Sequence, residues 1–135
     1  MTAFARDASK LPEREDIAVI VGDATDADAV ARAVVGHDAI VVALGDSRNP
    51  FALAVGMKRI TPPNICEIGT AHVIAAAQAA SVQRLVCVTS YGVGDTRKLL
   101  PPMHKRIFRW LRLREQMDDK ERQEQLVKAS GLDWT

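Results

Sequence analysis

Residues 85–88, Leu-Val-Cys-Val, form an apolar run with no polar alternation, and they end on Thr89-Ser90-Tyr91-Gly92-Val93-Gly94-Asp95, a polar tip loosened by two glycines. An unbroken run of this kind suits a strand buried on both faces, as in a parallel sheet covered by helices. In such sheets ligands sit beyond the carboxyl ends of the strands, so Thr89, Ser90 and Tyr91 fall where chemistry is usually placed. A strand followed by a plain turn is the alternative.

The same arrangement recurs along the chain. Residues 2–5 are short and apolar and lead into a charged loop from Arg6 to Lys10, closed by Leu11-Pro12. Residues 17–21 are a second run, closed by Gly22-Asp23-Ala24-Thr25-Asp26. Thr25 or Asp26 stands where it can cap a helix over the alanine-rich residues 27–35, and Gly36 stops it. A third run, residues 39–44, ends at Gly45, and from there to about residue 63 no element is evident. Loops of that length in compact domains are functional or mobile. Asn64 then caps a helix over residues 65–80, with Ile68, Ala71, Ala75 and Ala79 on one stripe whose small side chains allow close approach to a sheet. A polar helix over residues 118–130 stops at Gly131, and residues 132–135 begin a further strand. Strand-like runs alternating with helices predict a parallel α/β sheet in a single domain of 135 residues.

Composition narrows the function classes. Hydrophobic residues make up 47% and charged residues 26%, the profile of a soluble globular chain. A formal net charge of +1 gives no global reason to expect nucleic acid as a partner. Cys66 and Cys87 have no second Cys or spaced His beside them and read as reduced, packed thiols; no metal site is expected. His37, His72 and His104 lack partners at ligand spacing and read as solvated or helix-end histidines. No apolar run approaches the ~18 residues of a membrane span. The N-terminus lacks a charged-then-apolar export pattern, so the expected location is cytoplasmic. Residues 97–114 carry Arg97, Lys98, Lys105, Arg106, Arg109, Arg112 and Arg114 around Ile107, Phe108, Trp110 and Leu111. At helical spacing this is a basic amphipathic helix, either a lid, a partner- or membrane-surface contact, or a solvated face around a packed stripe.

Taken in order, five segments carry a resemblance. They are Arg-Asp-x-Ser-Lys-Leu-Pro after a strand, Val-Gly-Asp-x-x-Asp before a helix, Ala-Leu-Gly after the next strand, Val-Thr-Ser-Tyr-Gly-Val-Gly-Asp, and Lys-Glu-Arg-Gln-Glu with Ser-Gly-Leu-Asp-Trp-Thr. Together they resemble the atypical short-chain dehydrogenase/reductases, and within them the NAD(P)-binding, NmrA-like proteins of the biliverdin IX-beta and flavin reductase type. The resemblance implies a Rossmann-like, doubly wound parallel sheet. It also implies that the sheet is incomplete, because members begin with a strand carrying a glycine-rich dinucleotide loop and continue past Trp134-Thr135. The expectation is therefore a fragment or truncated product. The missing strand would lie between the strand at residues 2–5 and that at 39–44. Such a chain must pair those strands directly, borrow a strand from another copy through the unpaired edges, or be marginal.

The resemblance also assigns residues. Arg6 and Lys10 would hold an adenosine 2′-phosphate, favouring NADP(H) over NAD(H), although solvated loop charge is the alternative. Asp23 and Ala24 would lie beside the adenine, unless Asp23 merely belongs to the helix cap. Ala43, Leu44 and Gly45 would line the ribose side, with a plain turn at Gly45 the alternative. Thr89, Ser90 and Tyr91 would face the nicotinamide and a planar small-molecule acceptor such as a flavin, quinone or tetrapyrrole, with Ser90 and Tyr91 as the catalytic candidates. Lys120 occupies the place of the superfamily's catalytic lysine, with Gln116 where its tyrosine would be, and could approach the cofactor ribose. A surface ion pair with Glu124 is the alternative there. The function implied is NADPH-dependent hydride transfer; a silent nucleotide-sensing binder and a fragment without activity are the other readings.

Overall fold

The computed structural model describes residues 1–11, 14–45, 61–99, 101 and 114–135. In chain order these form β1 (Thr2–Ala5), a 3-10 turn (Ala8–Lys10), β2 (Ala18–Val21), α1 (Ala27–Val34), β3 (Ala39–Val42), α2 (Ile65–Ala79), β4 (Arg84–Cys87), a second 3-10 turn (Gly94–Leu99), α3 (Arg114–Ala129) and β5 (Asp133–Trp134). Most of the basic segment at residues 97–114, and the stretch after Gly45, lie outside the described residues.

All strand pairs are parallel. β1 pairs with β2, Phe4 opposite Ile20; β3 pairs with β4, Ile40 opposite Leu85; and β4 pairs with β5, Leu85 opposite Trp134. The pairs fall into two sheets, β1-β2 and β3-β4-β5. Among the described residues no strand joins β1 to β3, so the direct pairing that would close the expected gap does not occur there.

Alternation along the strands divides each sheet into two faces. Phe4, Ile40, Val42, Leu85 and Cys87 point to the face on which all three helices pack: α1 beside α2 and α2 beside α3. Val30 and Val34 of α1, Ile74 and Ala77 of α2 and Val127 of α3 meet these strand residues in one core around Leu85, which is wholly buried. The opposite face carries Val21, Val41 and Val88, which are 63%, 68% and 52% exposed. The expectation of a strand buried on both faces thus holds for one face only. β-branched residues fill both faces, as in a helix-covered parallel sheet, while the described helices cover one.

Local chemistry explains the element ends. The Asp26 carboxylate accepts from the Ala29 N–H at 3.0 Å and starts α1. Gly36, at φ +79°, takes the left-handed conformation that ends it. Helix α2 departs from expectation twice. Its buried residues are Ile65, Cys66, Gly69, Thr70, Ile74, Ala76 and Ala77, whereas Ala75 and Ala79 of the anticipated stripe are exposed. The helix is apolar nearly all round, so its periodicity does not single out one face. Close approach is made instead at Gly69, where a Cβ would stand 2.5 Å from Leu44 Cδ1 and 3.0 Å from the Ala24 methyl. Asn64 occupies the N-cap position but makes no side-chain cap bond. Asp119 of α3 does so in its place, accepting from Cys66 N at 2.9 Å and Glu67 N at 3.0 Å.

Candidate functional site

Because every pairing is parallel, the carboxyl ends of the strands in each sheet share one edge. Gly69 brings the two edges together, since Ala24 follows β2, Leu44 follows β3, and both touch it. Along this edge stand the residues singled out from the sequence.

Arg6 follows β1, and its guanidinium donates to Thr61 Oγ1 at 3.0 Å. Lys10, on the following 3-10 turn, is exposed, with Asp7 4.0 Å away. Asp23 follows β2 and accepts from both the backbone N–H and the hydroxyl of Thr25, each at 2.9 Å. The Thr25 backbone N–H holds the Asp23 carboxyl below the usual carboxylate range; the Thr25 hydroxyl and the nearby Arg6 charge act in the same direction, against a smaller opposing effect of burial. Ala24 is buried, and its carbonyl accepts from His72 Nδ1 at 3.0 Å, so this histidine is tied to the strand end rather than solvated. Ala43 and Gly45 are exposed after β3. Among the described residues nothing lies within 4 Å of where a Gly45 Cβ would stand. Neither packing nor a left-handed φ requires glycine at that position.

Lys120 takes up an arrangement that spacing alone did not suggest. Its Nζ donates to the carbonyls of Leu44 at 2.6 Å and Val88 at 3.0 Å, and to Gln123 Oε1 at 2.9 Å. An ammonium has three donors, and all three are used within the chain. Lys120 therefore ties the ends of β3 and β4 to α3. Its i+4 neighbour Glu124 is engaged elsewhere, accepting the Thr89 hydroxyl at 2.7 Å, so the surface ion pair weighed for Lys120 does not form. Beside Lys120 the buried Gln123 donates to Thr70 Oγ1 at 2.8 Å, and Arg122 bonds Glu67 at 2.6 Å. One turn of α3 thus holds α2, β3 and β4 in place.

Beyond β4 lies a cavity of about 390 Å³, lined among others by Thr89, Ser90, Tyr91, Glu124, Lys128 and Trp134. Thr89 is committed to Glu124, and the Tyr91 hydroxyl donates to the Leu99 carbonyl at 3.2 Å. Ser90 has no hydrogen-bond partner among the described residues. Lys128 is paired with Asp95 at 2.9 Å, and that hydrogen bond raises its pKa above the ordinary lysine value. Burial pushes the Cys66 thiol up to about 12 and raises that of Cys87, the lining cysteine; neither is a poised nucleophile. The edge therefore brings Ala24 and Leu44, with their chain neighbours Asp23 and Gly45, together at Gly69, sets the Arg6 charge near Asp23, and places Thr89, Ser90 and Tyr91 in the cavity beyond β4. Asp119, Gln123, Glu124 and Trp134 were missed as site or scaffold residues. Asp119, Gln123 and Val127 recur at every fourth position of α3, and that spacing was the available signal for its buried face. Among the described residues no His, Cys, Asp and Glu cluster could hold a metal ion, and no helix is long and apolar enough to cross a membrane.

Parallel strands with crossover helices, and an edge at which their carboxyl ends converge, define a nucleotide-binding α/β domain of the Rossmann type. The chain belongs to the NAD(P)H-binding family, whose profile matches residues 1–135. Among solved structures it is similar to ChuY of Escherichia coli, described as an anaerobillin reductase, with TM-score 0.69 and 23% identity over 98% of this chain and 56% of that one. The oxidoreductase ylbE of Lactococcus lactis gives TM-score 0.68 at 17% identity, covering 98% and 54%. A short-chain dehydrogenase/reductase of Veillonella parvula in complex with NADP gives 0.63 at 15%, covering 99% and 54%. At these identities the likeness establishes the fold. The chain spans about half the length of these structures.

Proposed function

We propose that the chain binds NADPH in preference to NADH along the strand-end edge, and that hydride passes there to a planar acceptor such as a flavin, quinone or tetrapyrrole. The observation that carries this reading is the close approach of the β2 and β3 ends at Gly69, on an edge that also carries a basic pair after β1, a carboxylate after β2, an open glycine after β3 and a free serine hydroxyl after β4. The residues fit the two ends of the nucleotide. Arg6 and Lys10 offer cations to the 2′-phosphate, and Asp23 with the small Ala24 borders the adenine. Ala43, Leu44 and Gly45 leave room for the nicotinamide ribose, the open space at Gly45 being what a closely approaching ligand needs. Lys120 reaches that ribose by exchanging one of its carbonyl partners. These 135 residues contain no G-x-G-x-x-G, and none of the residues named here is assigned to the pyrophosphate. Bound NADPH supplies the hydride, and a proton from solvent completes reduction of the acceptor. Ser90 and Tyr91 orient the reacting rings by hydrogen bonding and contact, so no strongly shifted acid or base is required of them. We place the chain in the cytoplasm. The edges of β1 and β3 that are unpaired among the described residues are the surfaces through which copies would associate.

Calorimetric titration with NADPH and NADH tests the reading. The parent chain should prefer NADPH, and the Arg6→Ala/Lys10→Ala double variant should lose about tenfold or more of its NADPH affinity while NADH changes little. Equal loss for both nucleotides would sink the assignment.

A non-catalytic, NmrA-like sensor is favoured by one observation. Lys120 and Thr89 are both committed within the chain, leaving few free groups at the tip. NADPH that binds and is not consumed in the presence of acceptors would decide for it.

A further inference from the structure

The basic pair after β1 is not held symmetrically. The Lys10 side chain is 75% exposed with Asp7 4.0 Å away, a solvated charge on a flexible stem. Arg6 is fastened. Its Nη2 donates to Thr61 Oγ1 at 3.0 Å across 55 positions of sequence, joining the end of β1 to the lead-in of α2. Thr61 is only 4% exposed, and a hydroxyl buried to that extent needs a partner; Arg6 is the one it has among the described residues. A hydrogen bond from a guanidinium is charge-assisted, and so stronger than one between neutral groups.

The platform under that hydroxyl is stiff. Thr61 precedes Pro62-Pro63, and a residue before proline is confined to extended backbone while each proline fixes its own φ. Helix α2 follows at Ile65, with its first turn fastened by Asp119. On the other side, Asp23 does not neutralise the guanidinium. Its carboxylate accepts from Thr25, and among the described residues it makes no ion pair with Arg6, although the Arg6 charge acts on it. Arg6 therefore keeps its charge and the remaining N–H donors of its fork while losing freedom of movement.

We propose that Thr61 is a positioning residue for nucleotide choice: its hydroxyl holds the Arg6 fork in one arrangement before the nucleotide arrives, and so sets the preference for a ribose that carries a phosphate. The proposal rests on the NADPH reading and adds to it a residue that itself touches no nucleotide. A loose arginine must be ordered at each binding event, and one already ordered is spared that cost. The gain appears in the affinity for the phosphate alone. NADH, which brings no group for the fork, is indifferent to Thr61.

Calorimetric titrations of the 135-residue chain with NADPH and with NADH test this. Thr61→Val keeps the branched shape and removes the hydroxyl. It should lower NADPH affinity about fivefold and leave NADH unchanged, whereas Thr61→Ser, which keeps the hydroxyl, should restore most of the loss. In an Arg6→Ala background Thr61→Val should change neither affinity, because the group it acts through is gone. Thr61→Ala makes the same deletion without setting a methyl beside the guanidinium and should agree with Thr61→Val, so that if one variant does not fold the other still decides. If the ratio of NADPH to NADH affinity survives loss of the hydroxyl while Arg6→Ala abolishes it, the proposal falls and the NADPH reading stands; Thr61 then only braces β1 against α2. The proposal falls equally if Thr61→Val still lowers NADPH affinity in the Arg6→Ala background. A parent chain that binds both nucleotides equally overturns the proposal and the NADPH reading together.

Discussion

Cys66 shows how much of a side chain's chemistry depends on its setting. In the sequence it is a cysteine without partners, and packing was the correct expectation. What the sequence could not supply is that it stands at the start of α2, buried, with its Sγ 3.5 Å from the Leu44 carbonyl. Burial raises its thiol from the ordinary 9.0 to about 12, so at neutral pH it holds about a thousandfold less thiolate than a free thiol. The folded state keeps this proton where the unfolded chain releases it. The associated stability is therefore complete below pH 9 and falls as pH rises from about 9 toward about 12. Cys66→Ala should flatten that alkaline decline, measured as urea unfolding over a pH series; an unchanged slope would show that other groups cause it. Arg6, Lys10 and Asp23 were legible as residues because strand ends are marked by apolar runs stopping at polar ones. Lys120 was legible only as a position. Its partners are main-chain carbonyls of two strands brought together by folding, and a carbonyl leaves no mark in a sequence.

At the scale of elements the apolar runs and capping residues marked most starts and stops to within a few residues. The start of α3 was the larger miss, since the helix is already formed at Arg114, ahead of residue 118. The face of α2 was not legible, because a helix rich in alanine and isoleucine offers no polar side to read against. The cap of α2 was misassigned for a related reason. Asn64 has the right chemistry at the right place, but the first turn is satisfied by Asp119 from another helix. Asp119→Ala leaves one buried and one half-buried N–H group without an acceptor and is expected to cost about 2 kcal/mol in urea unfolding. Asp119→Asn, which retains one oxygen acceptor, should cost less. Asn64→Ala should cost a few tenths of a kcal/mol at most. A reversed order for Asp119 and Asn64 would mean that the cap is local after all.

At the scale of the molecule, alternation of strands and helices was enough to give a parallel α/β domain, and the order of five short segments was enough to point toward nucleotide binding. A gap one strand wide between β1 and β3, in an incomplete parallel sheet, was anticipated from the topology. Its consequence for the exposed side was not, because an apolar strand reads the same whether one face or both are covered. Val21, Val41 and Val88 share that open side, and β1 and β3 each present an unpaired edge among the described residues. Such edges are templates for pairing. Sedimentation velocity over a rising concentration series should therefore show self-association, and a single species with the mass of one chain, 14.7 kDa, at every concentration would overturn the edge assignment.

The cap on α2 also orders events during synthesis. Asp119 lies 53 residues after the amide it receives, so a ribosome that has released α2 has still to make β4 and much of α3 before that helix can be finished at its first turn. Until then the two amides are left to water and the apolar helix is uncovered, a surface that invites chaperones. A translational pause between residues 80 and 118 would lengthen that interval, and synonymous codons in this stretch would affect the yield of folded chain without changing a single residue.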